Sequence, residues 1–492
     1  MVAASQAVMV TTSDSQRITA KAAKGAIALG SRQVAVHGLN IAGSIALARL
    51  LSPSDFGIYG ITLFLVQFLS CFGGTGLACS LIRVPNEPTE DEYSAVFAFQ
   101  QLALACLVLG LWAASPYLVR MYGLTPHYAS LFRMTAAALF ITSFMVIPQV
   151  RLERELDFAK LAVVEIWQAV VFNMTAVGLA WRGWGGMSFA IALLVRSGVG
   201  VVAVYLAEPW KPHWRLDWNC AKPHLRFGFY YQSAQAISLI KDSISPVLIG
   251  ALAGAAGVGY ISWANMVATY PVLLLMILQR VYLPAFSRLQ HDRQQLSALM
   301  EKILLVTTGI ASPLAVLALV LIHPLTTLVF GSKWTSAIPM FFLFWSANLF
   351  VPASIPILGL LNAIGKSRLV FVFTLLWAGL TWLLGIPLIL WLGPIGLAWA
   401  TLGVQLSGIA LFVVAKKELQ FRILQPMLFP WTMSLVAGGA VLGFQRVHAI
   451  NTVALLITSF AFGLLVYVTG MVAKHLNEIK NMWNMLRPVE NV

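Results

Sequence analysis

Fourteen mostly apolar stretches, each about the length of one helical crossing, follow one another from residue 26 to residue 472. A bilayer core takes about 20 apolar residues per helix, and backbone facing lipid must be satisfied within a helix or a closed barrel. These runs lack the two-residue alternation of barrel strands. Helices are therefore predicted at 26–49, 56–81, 93–119, 128–148, 160–181, 185–207, 227–252, 258–283, 303–322, 337–363, 369–391, 394–415, 427–444 and 451–472. Three boundaries, at Arg182–Gly185, Gly254–Gly257 and Gly393–Pro394, rest on Gly or Pro between two long runs. Each predicts a tight turn, because the joined run would exceed any single crossing. The fold class expected is an all-α polytopic membrane protein.

Composition agrees with this reading. Hydrophobic residues make up 59% of the chain and charged residues 10%, a surplus that no soluble fold could cover. The net charge of +14 takes its meaning from where the cations lie. Alternate gaps hold Arg17, Lys21 and Lys24; Arg83; Arg151, Arg154 and Lys160; Lys211, Arg215, Lys222 and Arg226; and Arg280, Arg288, Arg293 and Lys302. The same set continues through Lys366 and Arg368, then Lys416, Lys417 and Arg422, and ends with Lys474, Lys480 and Arg487. The intervening gaps hold only Arg49, Arg120, Arg182, Lys333 and Arg446. Lys and Arg mark short cytoplasmic loops, so both termini are expected inside. The charge thus reflects topology, and no nucleic-acid partner is expected. Trp112, Trp210, Trp214, Trp334 and Trp391 are expected near span ends, as an interfacial belt.

Residues 1–25 read as a cytoplasmic tail and 473–492 as another. A Pro-bearing linker, 208–226, separates an expected N-lobe at 26–207 from a C-lobe at 227–415, and 416–472 carries the last two spans. A faint repeat accompanies this division. Ala46-Leu47-Ala48-Arg49-Leu50-Leu51 with Phe56-Gly57-Ile58-Tyr59 parallels Val247-Leu248-Ile249-Gly250-Ala251-Leu252 with Gly257-Val258-Gly259-Tyr260, at an offset of 201 residues. Two six-helix halves are a common transporter plan.

The motifs of other membrane functions are missing from the sequence. No phosphate-binding GxxxxGK[ST] loop, HExxH or strand-borne GxGxxG occurs, and no soluble domain is present to hold nucleotide. Neither cofactor nor metal is expected. Cys71, Cys79 and Cys106 fall in spans and Cys220 in an inner loop, without ligand spacing. A secondary transporter or flippase remains, with a membrane-embedded glycosyltransferase or ligase as the outside alternative.

Charges inside spans are costly and mark functional cavities by default. Arg32, Arg133, Arg196 and Lys241 lie within spans, Arg280 lies near the end of one, and Glu165 and Asp242 are the intramembrane acids. The five cations are candidates for binding an anionic head group, because Arg grips phosphate oxygens bidentately and stays charged when poorly hydrated. Glu165 and Asp242 are the candidates for a coupling ion. A structural role is open to each: Arg133 and Arg280 can snorkel to the interface, Glu165 can pair with a neighbouring cation, and Lys241 and Asp242 can neutralise each other. His37 reads as a buried packing residue. Pro246, Pro271, Pro313, Pro339, Pro352, Pro356 and Pro387 shape or bend helices.

Several ordered segments resemble one family. They are Leu47-Ala48-Arg49-Leu50-Leu51-Ser52-Pro53-Ser54-Asp55-Phe56-Gly57; Ser80-Leu81-Ile82-Arg83 with Thr89-Glu90-Asp91-Glu92 and Ala95-Val96-Phe97; and Pro148-Gln149-Val150-Arg151-Leu152-Glu153-Arg154-Glu155-Leu156-Asp157-Phe158. Leu248-Ile249-Gly250 with Gly259-Tyr260, Leu283-Pro284-Ala285-Phe286-Ser287-Arg288-Leu289, Val329-Phe330-Gly331-Ser332-Lys333-Trp334 and Leu361-Asn362-Ala363-Ile364-Gly365-Lys366 continue the series. Together they resemble the Wzx-like bacterial polysaccharide flippases, the polysaccharide transporter family of the multidrug/oligosaccharidyl-lipid/polysaccharide superfamily. The resemblance covers about residues 25–420. It implies two six-helix lobes around a cationic lumen, with two peripheral C-terminal helices. The implied activity is flipping of a polyprenyl-diphosphate-linked oligosaccharide across the bacterial inner membrane for exopolysaccharide or lipopolysaccharide synthesis. The implied partners are that lipid, membrane lipid and a polysaccharide polymerase. A drug/cation antiporter of the same superfamily and a peptidoglycan-precursor flippase stay open as alternatives. The resemblance transfers no substrate motif, so the site residues rest on the charge argument alone.

Overall fold

The computed structural model describes residues 36–72, 75–84 and 86–486. Among these residues the chain is helical, with no strand. Among the described residues twelve stretches are long and apolar enough to cross a membrane. Two of the expected spans do not appear separately among them. The first is described only from residue 36, as a helix over 36–50 (α1), and the seventh and eighth form one candidate, Leu239–Met276.

The chain divides into two compact units, Met1–Pro246 and Val247–Val492. The first contains α1, α2 (Pro53–Phe72), α3 (Thr75–Arg83), α4 (Glu90–Met121), α5 (Ala129–Ser143) and α6 (Val146–Arg154). It continues with α7 (Phe158–Trp181), α8 (Met187–Ala207) and α9 (Trp218–Asp242). The polar residues between apolar runs set the helix starts. Thr89 and Glu92 form a reciprocal capping box at α4, and Asp157 and Asp217 accept the free N–H groups of α7 and α9. Such caps contribute about 1 kcal/mol each. The α7–α8 reversal follows from Gly183 (φ 84°) and Gly185 (φ 52°), a region that only Gly enters freely. α7, α8 and α5 pack around Leu47, Phe172, Ala176, Phe189 and Leu193. α9 packs on α3, α4 and α2, so the stretch after 227, placed by sequence at the head of the second lobe, sits against helices of the first unit.

The second unit holds α10 (Gly250–Leu289), α11 (Arg293–Leu325), α12 (Ile338–Asn348), α13 (Val351–Ala363) and α14 (Ser367–Leu392). It ends with α15 (Ile395–Leu406), α16 (Gly408–Glu418), α17 (Leu424–Val447) and α18 (Val453–Leu486). Gly393 (φ 67°) makes the expected turn between α14 and α15. The turn expected at Gly254–Gly257 is different. The break is confined to one residue, Gly254 (φ 64°, ψ −171°), with helix on both sides, because a single glycine supplies the whole deviation. Gly254 lies 201 residues after Pro53, where α2 begins, so the repeat seen in sequence has a break at the same register in each unit.

α17 and α18 both pack on α11. Glycines allow the close approach: a Cβ on Gly463 would lie 2.4 Å from Leu317, and one on Gly438 2.7 Å from Val316. The Ser434 hydroxyl donates to Ser312 (2.8 Å) and the Tyr467 hydroxyl to the Gly309 carbonyl (2.7 Å). Bonds of this kind between membrane helices contribute about 0.6 kcal/mol each. Near α12, Trp334 stacks on Trp263 (5.4 Å, 16°) and meets Tyr260 edge-on (6.1 Å). Trp334 is thus fully buried, whereas Trp391 is 82% exposed.

Candidate functional site

In the first unit an aromatic column ends in an arginine. Phe189 of α8 stacks on Tyr59 of α2 (4.0 Å, 15°), and Tyr59 stacks on Phe172 of α7 (6.4 Å, 29°). The Arg196 guanidinium of α8 then lies 5.9 Å from the Phe172 ring centre. Helical register explains the alignment. Phe189 and Arg196 are two turns apart on α8, as Glu165 and Phe172 are on α7, so each pair shares a face. The electrostatic neighbours of Arg196 are Tyr59 and Glu165. Among the described residues no carboxylate lies within ion-pair distance of Arg196, and its side chain is exposed. A guanidinium seated on a ring gains about 0.5–2 kcal/mol and leaves its N–H edge available to a ligand.

Polar groups continue beside the column. Asn173 Nδ2 donates to Asn40 Oδ1 (3.1 Å) and to the Ala169 carbonyl (2.8 Å). Gly43 makes room for it, since a Cβ there would lie 1.6 Å from Asn173 Oδ1. Ser197, next to Arg196, shares a hydrogen bond with Thr142 (2.7 Å). Gln168 fits against Gly200, where a Cβ would come within 2.0 Å of Nε2. The sequence reading missed Tyr59, Phe172, Asn173 and Phe189 as site residues. Its available signals were the seven-residue spacing of Phe189 and Arg196 and the amide of Asn173 in mid-span.

Of the charged candidates, the structure brings Arg196 and Glu165 into one neighbourhood. Glu165 is half-buried on α7. Arg133 is fastened to α4: its Nε donates to Ser115 (3.0 Å), its guanidinium lies 5.9 Å from the Trp112 ring centre, and Trp112 Nε1 donates to the Arg133 carbonyl (3.2 Å). Lys241 and Asp242 pair with each other at 2.6 Å at the end of α9, because the long lysine reaches round the last turn. Arg280 lies within α10 with its side chain outside the described residues, and Arg32 is also outside them. His37, read as buried, is exposed. Among the described residues no His/Cys/Asp/Glu cluster could hold a metal.

The motifs that carried the family resemblance build joints. On one side of the unit, Arg151 bridges Glu90 (2.9 Å) and Glu208 (3.0 Å). Arg154 donates to the carbonyls of Leu81, Ile82, Val84 and Asn86 at 2.7–3.2 Å, closing the end of α3. Nearby, Ser80 Oγ and His224 Nδ1 share a buried hydrogen bond (2.9 Å). Burial pushes the His224 ring below its usual value, and Glu92 opposes that shift in part. In the other motif region, Asp55 accepts from Ser52 Oγ (2.6 Å), the Gly186 N–H (2.8 Å) and the Tyr128 hydroxyl (3.3 Å), tying α2 to the start of α8.

A helical bundle with a ring-seated arginine in mid-span defines a polytopic membrane protein with an intramembrane polar site. Residues 46–339 match the family described as polysaccharide biosynthesis protein, and the chain belongs to that family. It is 28% identical over 332 residues to the succinoglycan biosynthesis transport protein ExoT of Rhizobium meliloti (strain 1021), covering 67% of each chain. It is 25% identical over 350 residues to the lipopolysaccharide biosynthesis protein WzxC of Escherichia coli (strain K12), covering 69% of each. Among solved structures it is similar to that of the lipid II flippase MurJ in an inward closed conformation, with a TM-score of 0.75 at 16% identity over 91% of this chain and 99% of that one. That likeness is one of fold.

Proposed function

We propose that this protein translocates a polyprenyl-diphosphate-linked oligosaccharide repeat unit from the inner to the outer leaflet of the bacterial cytoplasmic membrane, for exopolysaccharide or lipopolysaccharide synthesis. The observation that carries the proposal is Arg196: a mid-span cation held by Phe172, with no carboxylate in ion-pair range among the described residues. A cation inside a membrane is costly, and an anionic cargo offsets that cost. The relatives' names point the same way, to succinoglycan transport and lipopolysaccharide biosynthesis.

The chemistry follows from the geometry. Seated on its ring, the Arg196 fork keeps one orientation and offers parallel N–H donors to a diphosphate. Asn40 and Asn173 supply neutral donors and acceptors of the kind that sugar hydroxyls match. Lys241, Arg133, Arg280 and Arg32 are further cations of the proposed path, with Glu165 and Asp242 as groups for a coupling ion. The polyprenyl tail stays in lipid while the two halves of the chain act as the alternating lobes. A membrane potential that is negative inside favours outward passage by about 2.3 kcal/mol per cargo charge per 100 mV. The Lys/Arg asymmetry supports both termini facing the cytoplasm, and a polysaccharide polymerase is the partner that would draw off the product.

The test is made in cells lacking the protein, by extracting lipid-linked oligosaccharides and determining their leaflet. Complete repeat units held on the cytoplasmic side, with surface polysaccharide lost, are expected. Unchanged lipid pools and unchanged surface polysaccharide would overturn the proposal.

A further inference from the structure

Residues 208–218 leave α8 directly after Ala207 and so lie where a span meets the surface. They form no helix until α9 begins at Trp218. Their side chains alternate: Trp210, Pro212, Trp214, Leu216 and Trp218 interleave with Lys211, His213, Arg215 and Asp217. Large apolar and charged or polar side chains therefore lie next to one another along the segment.

The first unit holds this strap in place. Trp210 is buried, with its Nε1 donating to Glu90 Oε2 (3.0 Å). Arg215 forms an ion pair with Asp91 and lies 3.6 Å from Asp217. Trp214 meets Phe97 edge-on (5.8 Å) and Trp218 meets Phe99 (5.7 Å). Even so, Trp214, Leu216 and Trp218 remain 66%, 65% and 56% exposed. Lys211, His213, Lys222 and Arg226 are exposed too, and none has an acidic partner among the described residues. An ordered strap that shows water both large apolar side chains and unpaired cations is half of an interface.

We infer that this strap binds the anionic headgroups of the phospholipid leaflet beside it, with Trp214, Leu216 and Trp218 entering the headgroup layer. Lys211, His213, Lys222 and Arg226 then meet lipid phosphates. Trp at the interface and Lys/Arg against anionic headgroups are the side chains such a layer selects. A protein partner is the weaker occupant, because the segment's place at the end of a span already puts it against lipid. The inference rests on the membrane reading of the chain and on the proposed orientation only for which leaflet is touched.

The test uses the full chain in nanodiscs whose two leaflets are alike, so it depends on neither orientation nor transport. The discs contain phosphatidylcholine alone or with phosphatidylglycerol, and no polyprenyl lipid. Amide hydrogen exchange over 208–218 is expected to slow several-fold when phosphatidylglycerol is present. The combined Lys211→Gln, His213→Gln, Lys222→Gln and Arg226→Gln variant should lose that difference while peptides from α7 and α8 keep their protection, which shows the unit still folded. Equal exchange in the two lipids overturns the inference, as does protection that appears only when a soluble protein is added. A failure here leaves the translocation proposal standing, since that is judged by the leaflet of the lipid-linked oligosaccharide.

Discussion

Phe189 and Arg196 stand two turns apart on α8 and hold opposite ends of one column, with Tyr59 and Phe172 stacked between them. The column fixes where the charge sits, so charge and shape can be separated by substitution. Arg196→Gln removes both the charge and the fork, and translocation of lipid-linked oligosaccharide in reconstituted vesicles is expected to fall about tenfold or more. Arg196→Lys keeps the charge but loses the ring contact and the bidentate grip. A loss of about 0.7 kcal/mol from the cation–π contact alone corresponds to roughly threefold. Equal rates for wild type and Arg196→Gln would remove Arg196 from the site.

Gly43 and Asn173 give a test of packing independent of transport. A methyl group on Gly43 would fall 1.6 Å from Asn173 Oδ1, so Gly43→Ala must push the amide out of its bond to Asn40. Overpacking of this kind costs about 1–3 kcal/mol, and a lower thermal midpoint of the purified protein is expected. Asn173→Ala in the same chain removes the clash, so the double variant should be more stable than Gly43→Ala alone. Additive losses would show that the two residues do not meet.

Much of the helical order is legible in the sequence, because span length, Gly turns and cation placement are local or periodic properties. Gly183, Gly185 and Gly393 make the turns that their positions announce. The site is less legible. Tyr59, Phe172 and Phe189 look like ordinary apolar span residues until three helices bring them into one column. Arg151 and Arg154 read as inner-loop cations within a family motif, yet they serve as joints whose acid and carbonyl partners lie roughly 50–75 residues away. His37 misled because depth along a helix does not say which side of that helix is covered.

Arg154 makes the joint that depends most on geometry. Its two terminal nitrogens reach four carbonyls at the end of α3, where helix carbonyls lack partners of their own. Lys cannot reproduce that fork. Arg154→Lys is therefore expected to destabilise the first unit by about 1.5–3 kcal/mol, the range for a hydrogen bond to a charged group, and to speed hydrogen exchange in α3. If exchange in α3 is unaltered, the clamp does not hold that helix end.

The Ser80–His224 pair predicts a pH dependence whose sign is fixed. Burial of His224 between α3 and α9 lowers its proton affinity in the folded protein, only partly countered by Glu92. The unfolded chain then binds the proton more readily, with an ordinary histidine value of about 6.5. Stability must rise with pH wherever the unfolded state holds more protons. The contribution is therefore full above about pH 6.5 and is lost as the pH falls below it. Thermal unfolding of the purified protein should show this acid-side loss, and His224→Gln, which cannot take up the proton, should flatten that part of the profile. A profile unchanged by His224→Gln would mean that the acid-side loss arises elsewhere.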